Sequence, residues 1–78
     1  MKEVKVYSTP SCPYCRMAKD YLKANDVQYQ DIDISSDSDV SREMILLSGQ
    51  MGVPVIVIDG EVILGFDKSK IDPLLGIE

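Results

Sequence analysis

From Glu3 to Tyr7 the chain alternates, with Val4 and Val6 on one side, and Thr9-Pro10-Ser11 then breaks the pattern, which predicts a half-buried strand. From Pro13 to about Asn25 the spacing changes. Cys15, Met17, Ala18, Tyr21 and Leu22 recur at three- and four-residue steps with Lys19 and Lys23 outside, an amphipathic helix with Met17 in its apolar stripe. Residues 27–34 read as a second strand with a phase slip between Tyr29 and Ile32. Ser36 to Asp39 supplies helix-start residues, Val40, Met44 and Leu47 line one face, and Gly49 offers a stop. Val55 to Ile58 is a continuous β-branched run, and Asp59-Gly60 is a two-residue hairpin signal leading into Glu61 to Leu64. Asp67 is placed to cap a last helix over Lys68 to about Leu75, with Pro73 awkward inside it.

The predicted order is β-α-β-α-β-β-α. A right-handed crossover makes the first two strands parallel, and the hairpin makes the last two antiparallel. The expected fold class is therefore α/β: a mixed four-stranded sheet flanked by helices, each with one apolar stripe to bury.

The 78 residues leave room for one core, so residues 1–78 are read as a single domain. A chain this short buries a modest core, which places any chemistry near the surface. The formal charge of −5, from 8 basic and 13 acidic residues, offers no footprint for nucleic acid or an anionic membrane. The longest apolar run, Val53 to Ile58, is far below the roughly 20 residues that span a bilayer, and no secretory signal is visible at the start. A cytoplasmic monomer is the expectation.

Two cysteines and no histidine cannot by themselves assemble the four ligands of a zinc site, so no metal is expected, and histidine catalysis is excluded. Cys12 and Cys15 close too short a loop to restrain the unfolded chain much, which makes a structural staple the weaker reading. Their placement where a strand-loop feeds a helix points instead to redox work. Cys12 falls at or near the N-cap with Pro13 in the first turn, so the unpaired amides and the helix dipole favour an ionised sulfur there. Easy ionisation gains little in the attack step, because intrinsic nucleophilicity falls with it. The gain comes when that sulfur must leave a mixed disulfide. Cys12 is thus the expected nucleophile and Cys15, one turn deeper, the resolving thiol.

With these residues in view, the chain resembles the glutaredoxins, small disulfide oxidoreductases of the thioredoxin fold. The likeness runs through Thr9-Pro10-Ser11-Cys12-Pro13-Tyr14-Cys15, Gly52-Val53-Pro54 before a strand, and Gly65-Phe66-Asp67 before the last helix. It implies a cis peptide before Pro54, and a Val53 backbone that pairs with glutathione or a peptide. It further implies a ligand-facing stretch at Gly65, Phe66 and Asp67, whose amides would hold a carboxylate at a helix start. Tyr14 is either a wall of that cleft or a plain surface tyrosine. Glutathione is the implied co-substrate, with no bound cofactor, and disulfide-containing or glutathionylated proteins are the implied substrates.

Two positions depart from the family pattern. Phe66 replaces a usual second Gly, and Thr9 stands where many glutathione-using members carry Lys. These are similar to redoxins that draw electrons from thioredoxin reductase and pass them to ribonucleotide reductase, the alternative reading. A third resemblance, to glutaredoxins that carry an iron-sulfur cluster between two copies of the nucleophilic cysteine, is opposed by Pro13, since such members commonly have a smaller residue there. Arg16 and Lys19 either attract the carboxylates of glutathione or are ordinary exposed charge. The acidic stretch Asp26, Asp31, Asp33, Asp37 and Asp39 reads as a solvated face.

Overall fold

In the computed structural model, which describes residues 3–50 and 52–77, seven elements follow one another. They are β1 (Val4–Ser8), α1 (Pro13–Ala24), β2 (Gln30–Asp33), α2 (Ser38–Ser48), β3 (Val55–Ile58), β4 (Glu61–Leu64) and α3 (Lys68–Leu75). The four strands form one sheet in the order β2-β1-β3-β4. β1 runs parallel to β2 and antiparallel to β3, and β3 is antiparallel to β4. This is the expected mixed sheet, with β1 and β3 at its centre.

Central strands need cover on both faces, and the sequence supplies it by parity. Val4, Val6, Ile56, Ile58 and Ile63 point to one face, where they pack with Ala18 and Leu22 of α1 and Ile71 of α3. Tyr7 and Val55 point to the other, where they meet Met44 of α2. The two helices on the first face are tied by the Tyr21 hydroxyl, which donates to Asp72, and by the edge-on contact of Tyr21 with Phe66. On the second face the buried Tyr7 hydroxyl donates to Glu43 at 3.2 Å. Burial first and Glu43 second push the Tyr7 phenol above its ordinary range.

The helix ends are set by local chemistry. Asp37 caps α2 by accepting the Asp39 amide at 2.9 Å, and Gly49 closes the helix in the left-handed region at φ 74°. Asp59 (φ 48°) and Gly60 (φ 87°) make the β3-β4 turn, whose two positive φ angles match the right-handed twist of the strands. Pro73 lies inside α3 without ending it. In an eight-residue helix it deletes one backbone bond, to the exposed Ser69.

Three expectations are corrected. The second strand is four residues long, not eight, and the phase slip is no slip. Val27 and Tyr29 pack toward the α1/α3 side, Ile32 and Ile34 toward α2, so odd and even positions in one register serve different faces. Met17 is not core: it is 49% exposed, because Cys15, Ala18 and Leu22 already fill the stripe facing the sheet. Leu47 is likewise 44% exposed, while Met44 one turn earlier is fully buried.

Candidate active site

The polypeptide leaves β1 at Ser8, turns through residues 9–11 and enters α1 at Pro13, whose missing amide hydrogen costs nothing in the first turn. Cys12 is the N-cap residue itself, extended at φ −89° and ψ 114°. Its Sγ accepts the Cys15 amide hydrogen at 3.2 Å. A sulfur thus does what a Ser or Asp oxygen does at most helix starts.

From the other side, the Cys12 thiol donates to the Val53 carbonyl at 3.8 Å. The Val53–Pro54 peptide is cis, as the resemblance implied, and Pro54 is buried while Val53 is half-buried. The Gly65 amide donates to the Pro54 carbonyl at 2.9 Å, which brings the Gly65-Phe66-Asp67 stretch beside the cis-proline and so toward Cys12. Cys12, Val53, Pro54 and Gly65 are thus linked by contacts, whereas Phe66 and Asp67 follow in the chain without a hydrogen bond to Cys12 among the described residues.

The two sulfurs, both free thiols, have different surroundings. Cys12 is partly exposed and Cys15 is buried. Burial, then the adjacent Cys12 sulfur, pushes the Cys15 thiol up to about 11, against the smaller opposing pulls of the Thr9 backbone and the Lys19 ammonium. A group that holds its proton longer when folded lends stability that is full below the unfolded value, near 9, and is lost as pH rises through about 11. The reduced chain is accordingly expected to lose denaturant resistance between pH 9 and 11, by up to about 1.4 kcal/mol per pH unit. Chemical denaturation of the reduced chain and of Cys15→Ser over pH 8 to 12 checks this, and equal slopes would contradict it.

Asp67 caps α3. Its carboxylate accepts from the Ser69 hydroxyl at 2.6 Å and the Ser69 amide at 3.1 Å, and these bonds hold it below the usual carboxylate range despite some burial. The acid thus already occupies one amide of that helix start. The Phe66 ring is turned into the core against Tyr21, so what Phe66 offers a ligand is backbone. Tyr14 stands 64% exposed next to Cys12.

Of the groove on the α1 side of Cys12, the sequence pointed to Arg16 and Lys19 but not to Lys23 or to the groove itself. About 230 Å³ in volume, it is lined by Thr9, Pro10, Cys12, Arg16, Lys19, Asp20 and Lys23. The signal was present in the chain, since positions 16, 19, 20 and 23 share one helical face. The Lys19 ammonium reaches Asp31 on β2 at 3.0 Å.

Comparison with known proteins bears on this geometry. The family model for glutaredoxin matches residues 4–63. The chain belongs to the glutaredoxin family. It is 47% identical, over 92% of its own length and 96% of the relative's, to a glutaredoxin-like 8.6 kDa protein from the rubredoxin operon of Clostridium pasteurianum. It is 37% identical to glutaredoxin 3 of Escherichia coli K12, covering 96% and 99% of the two chains. A thioredoxin-like protein variant superposes with a TM-score of 0.91 at 38% identity over the full length of both chains. A buckwheat glutaredoxin solved as its glutathione complex superposes at 0.77 with 26% identity, covering 97% of this chain and 72% of that one. As a glutaredoxin with a paired Cys12 and Cys15, the protein is a thiol-disulfide oxidoreductase. No helix among the described residues is long and apolar enough to cross a membrane.

Proposed function

We propose that this glutaredoxin works as a dithiol enzyme that reduces disulfides and glutathione mixed disulfides, with Cys12 as nucleophile, Cys15 as resolving thiol and glutathione as co-substrate. The observation that carries this reading is the asymmetry of the pair: an accessible sulfur that accepts a helix-start amide at 3.2 Å, and a buried one held protonated. The Cys12 thiolate attacks a glutathionylated cysteine at the glutathione sulfur, forming a mixed disulfide while the protein thiolate leaves and takes up a proton. A second glutathione thiolate then attacks the glutathione sulfur of that mixed disulfide, releasing glutathione disulfide and the Cys12 thiolate. On a protein disulfide, Cys15 instead attacks the Cys12 sulfur, closing the Cys12–Cys15 disulfide and releasing the substrate's second thiolate. Two glutathiones then reopen it.

The surroundings of Cys15 favour this order of events. Two of the influences that raise it, hydrogen bonding and charge at Cys12, act only while Cys12 is free. Once Cys12 is tied into a mixed disulfide those two are gone; burial still raises Cys15, and the Thr9 backbone and Lys19, which act in the opposite direction, remain. Cys15 therefore ionises more readily when there is a bond for it to break.

Supporting the glutathione route are the Val53 backbone, whose carbonyl accepts from the Cys12 thiol at 3.8 Å, and the glutathione complex of the buckwheat relative. Val53 offers backbone to the peptide-like ligand, Pro54 shapes the wall, Tyr14 flanks the cleft, and Gly65, Phe66 and Asp67 border its γ-glutamyl end. A second reading, supply of electrons by thioredoxin reductase, is favoured by one feature: the Asp67 carboxylate occupies the Ser69 amide that a ligand carboxylate would use. Cys15→Ser distinguishes the routes. On a glutathionylated peptide with glutathione and glutathione reductase, the variant is expected to keep at least about half of the unmodified rate, because that cycle bypasses Cys15. Loss of more than tenfold would reject glutathione turnover at Cys12 and favour the reductase-fed cycle.

A further inference from the structure

The basic groove beside Cys12 is at odds with the rest of the molecule. The whole chain carries a formal charge of −5, yet three of its eight cationic side chains, Arg16, Lys19 and Lys23, line one wall that starts at the nucleophile. Asp20 is the one acid in that lining, and Lys19 is already shared with Asp31. Arg16 and Lys23 have no carboxylate within 4.0 Å among the described residues, so their charge is free to meet a ligand. The groove's three cations all belong to α1. Ten residues separate Pro13 from Lys23, about 15 Å at 1.5 Å per residue. An extended chain advances about 3.3 Å per residue, so four or five substrate residues cover that distance.

We propose that this groove is a docking track for an acidic stretch of the substrate polypeptide, lying within about five residues of the cysteine whose disulfide Cys12 opens. The inference rests on the reading of Cys12 as nucleophile and adds the class of substrate. The acidic side chains sit against Arg16 next to the reacting sulfur and against Lys23 at the far end, while Thr9 and Pro10 complete the lining. Lys23 is reached by a polypeptide, not by a tripeptide held at Cys12, so it separates protein substrates from glutathione itself.

The sign of the effect makes the proposal easy to overturn. Long-range repulsion from a −5 protein disfavours acidic peptides, so a preference for them can come only from a local surface of the opposite charge. Three glutathionylated peptides, alike except for Glu, Gln or Lys at the four positions beside the cysteine, are compared by kcat/KM at low and at 0.5 M salt. The expected order is Glu above Gln above Lys, with about a five- to tenfold span at low salt that collapses at high salt. Lys23→Glu is expected to abolish or reverse the order, while turnover of the small glutathionylated disulfide of glutathione and 2-mercaptoethanol stays unchanged. Equal kcat/KM for the three peptides, or a Glu preference untouched by Lys23→Glu, overturns the track.

Docking is also read without chemistry. Titration of an acidic peptide carrying Ser in place of its Cys is expected to move the backbone amide resonances of Arg16, Lys19 and Lys23, and the Lys peptide to leave them in place. An absence of shifts at these residues overturns the track whether or not turnover occurs. Turnover failing on all three peptides, with the shifts present, rejects the nucleophile reading and leaves the docking surface standing.

Discussion

Cys12→Ser is expected to lower reduction of any disulfide at least about 1000-fold while leaving the fold intact. The loss follows because a hydroxyl is neither a competent nucleophile toward sulfur nor able to form the mixed disulfide through which exchange proceeds. The intact fold follows from the capping role of the residue. Cys12 holds the Cys15 amide through its side chain, and serine is among the preferred residues for that task, so α1 keeps its start. Structural damage and lost chemistry are thereby separated in one variant. Turnover of a glutathionylated peptide is measured beside the far-ultraviolet circular dichroism and the urea midpoint. Activity above about 1% of the unmodified chain, or a protein that no longer folds, would contradict the assignment.

Ile56→Ala is expected to cost about 2 to 5 kcal/mol. Ile56 is fully buried on β3, directly between Val6 of β1 and Ile63 of β4, and packs in the cluster closed by α1 and α3. Truncation there leaves a cavity that close-packed neighbours fill only in part. At roughly 0.05 to 0.15 kcal/mol per residue, a chain of this size has about 4 to 12 kcal/mol in total, so one such change removes a large fraction of it. The midpoint of thermal unfolding is expected to fall by about 10 °C or more. Leu46→Ala, at a position 86% exposed, serves as the contrast and should stay within about 0.5 kcal/mol. Calorimetry giving the two variants equal midpoints would mean that the sheet-helix core is not where stability resides. Because β3 also follows directly on Pro54 and the Val53 carbonyl, the unfolding of Ile56→Ala should carry the cysteine environment with it.

The core of this fold was legible because its signals are short-range. β3, the Asp59-Gly60 turn and β4 agree with the chain reading residue for residue, since β-branched runs and positive-φ turn residues act within a few positions. The helix start within Ser36 to Asp39, the Asp67 cap and the stop at Gly49 are equally local, while the left-handed Gly76 that closes α3 was not read from the chain. What failed was anything decided by a partner distant in sequence. Met17 has the right spacing for the stripe of α1, and only the placement of β1, β3 and α3 shows that the stripe is narrower. The β2 boundaries depend on where β1 ends its pairing, from Lys5↔Gln30 to Ser8↔Asp33, which periodicity alone does not reveal.

The candidate site divides in the same way. The Cys12 cap and the Pro13 helix start follow from neighbours, and they came from the motif. Several of its contacts join residues far apart in the chain: Cys12 with Val53 across 41 positions, Gly65 with Pro54, Lys19 with Asp31. The family resemblance supplied the first of these through the cis-proline expectation. Of the basic groove, Arg16 and Lys19 were read as either carboxylate-attracting or ordinary exposed charge, while Lys23 and the walls from Thr9 and Pro10 join them only once the chain is folded.

The outer rim of β2 has a bearing on how molecules of this protein behave together. β2 is an edge strand of four residues, and its exposed Asp31 and Asp33 recur at every second position. Unpaired backbone on a sheet margin invites a neighbouring molecule to add its own strand, and short, charged margins discourage it. Two copies meeting along β2 would bring these acids together, with Lys19 offsetting Asp31 alone, which disfavours strand-to-strand pairing on this side of the sheet.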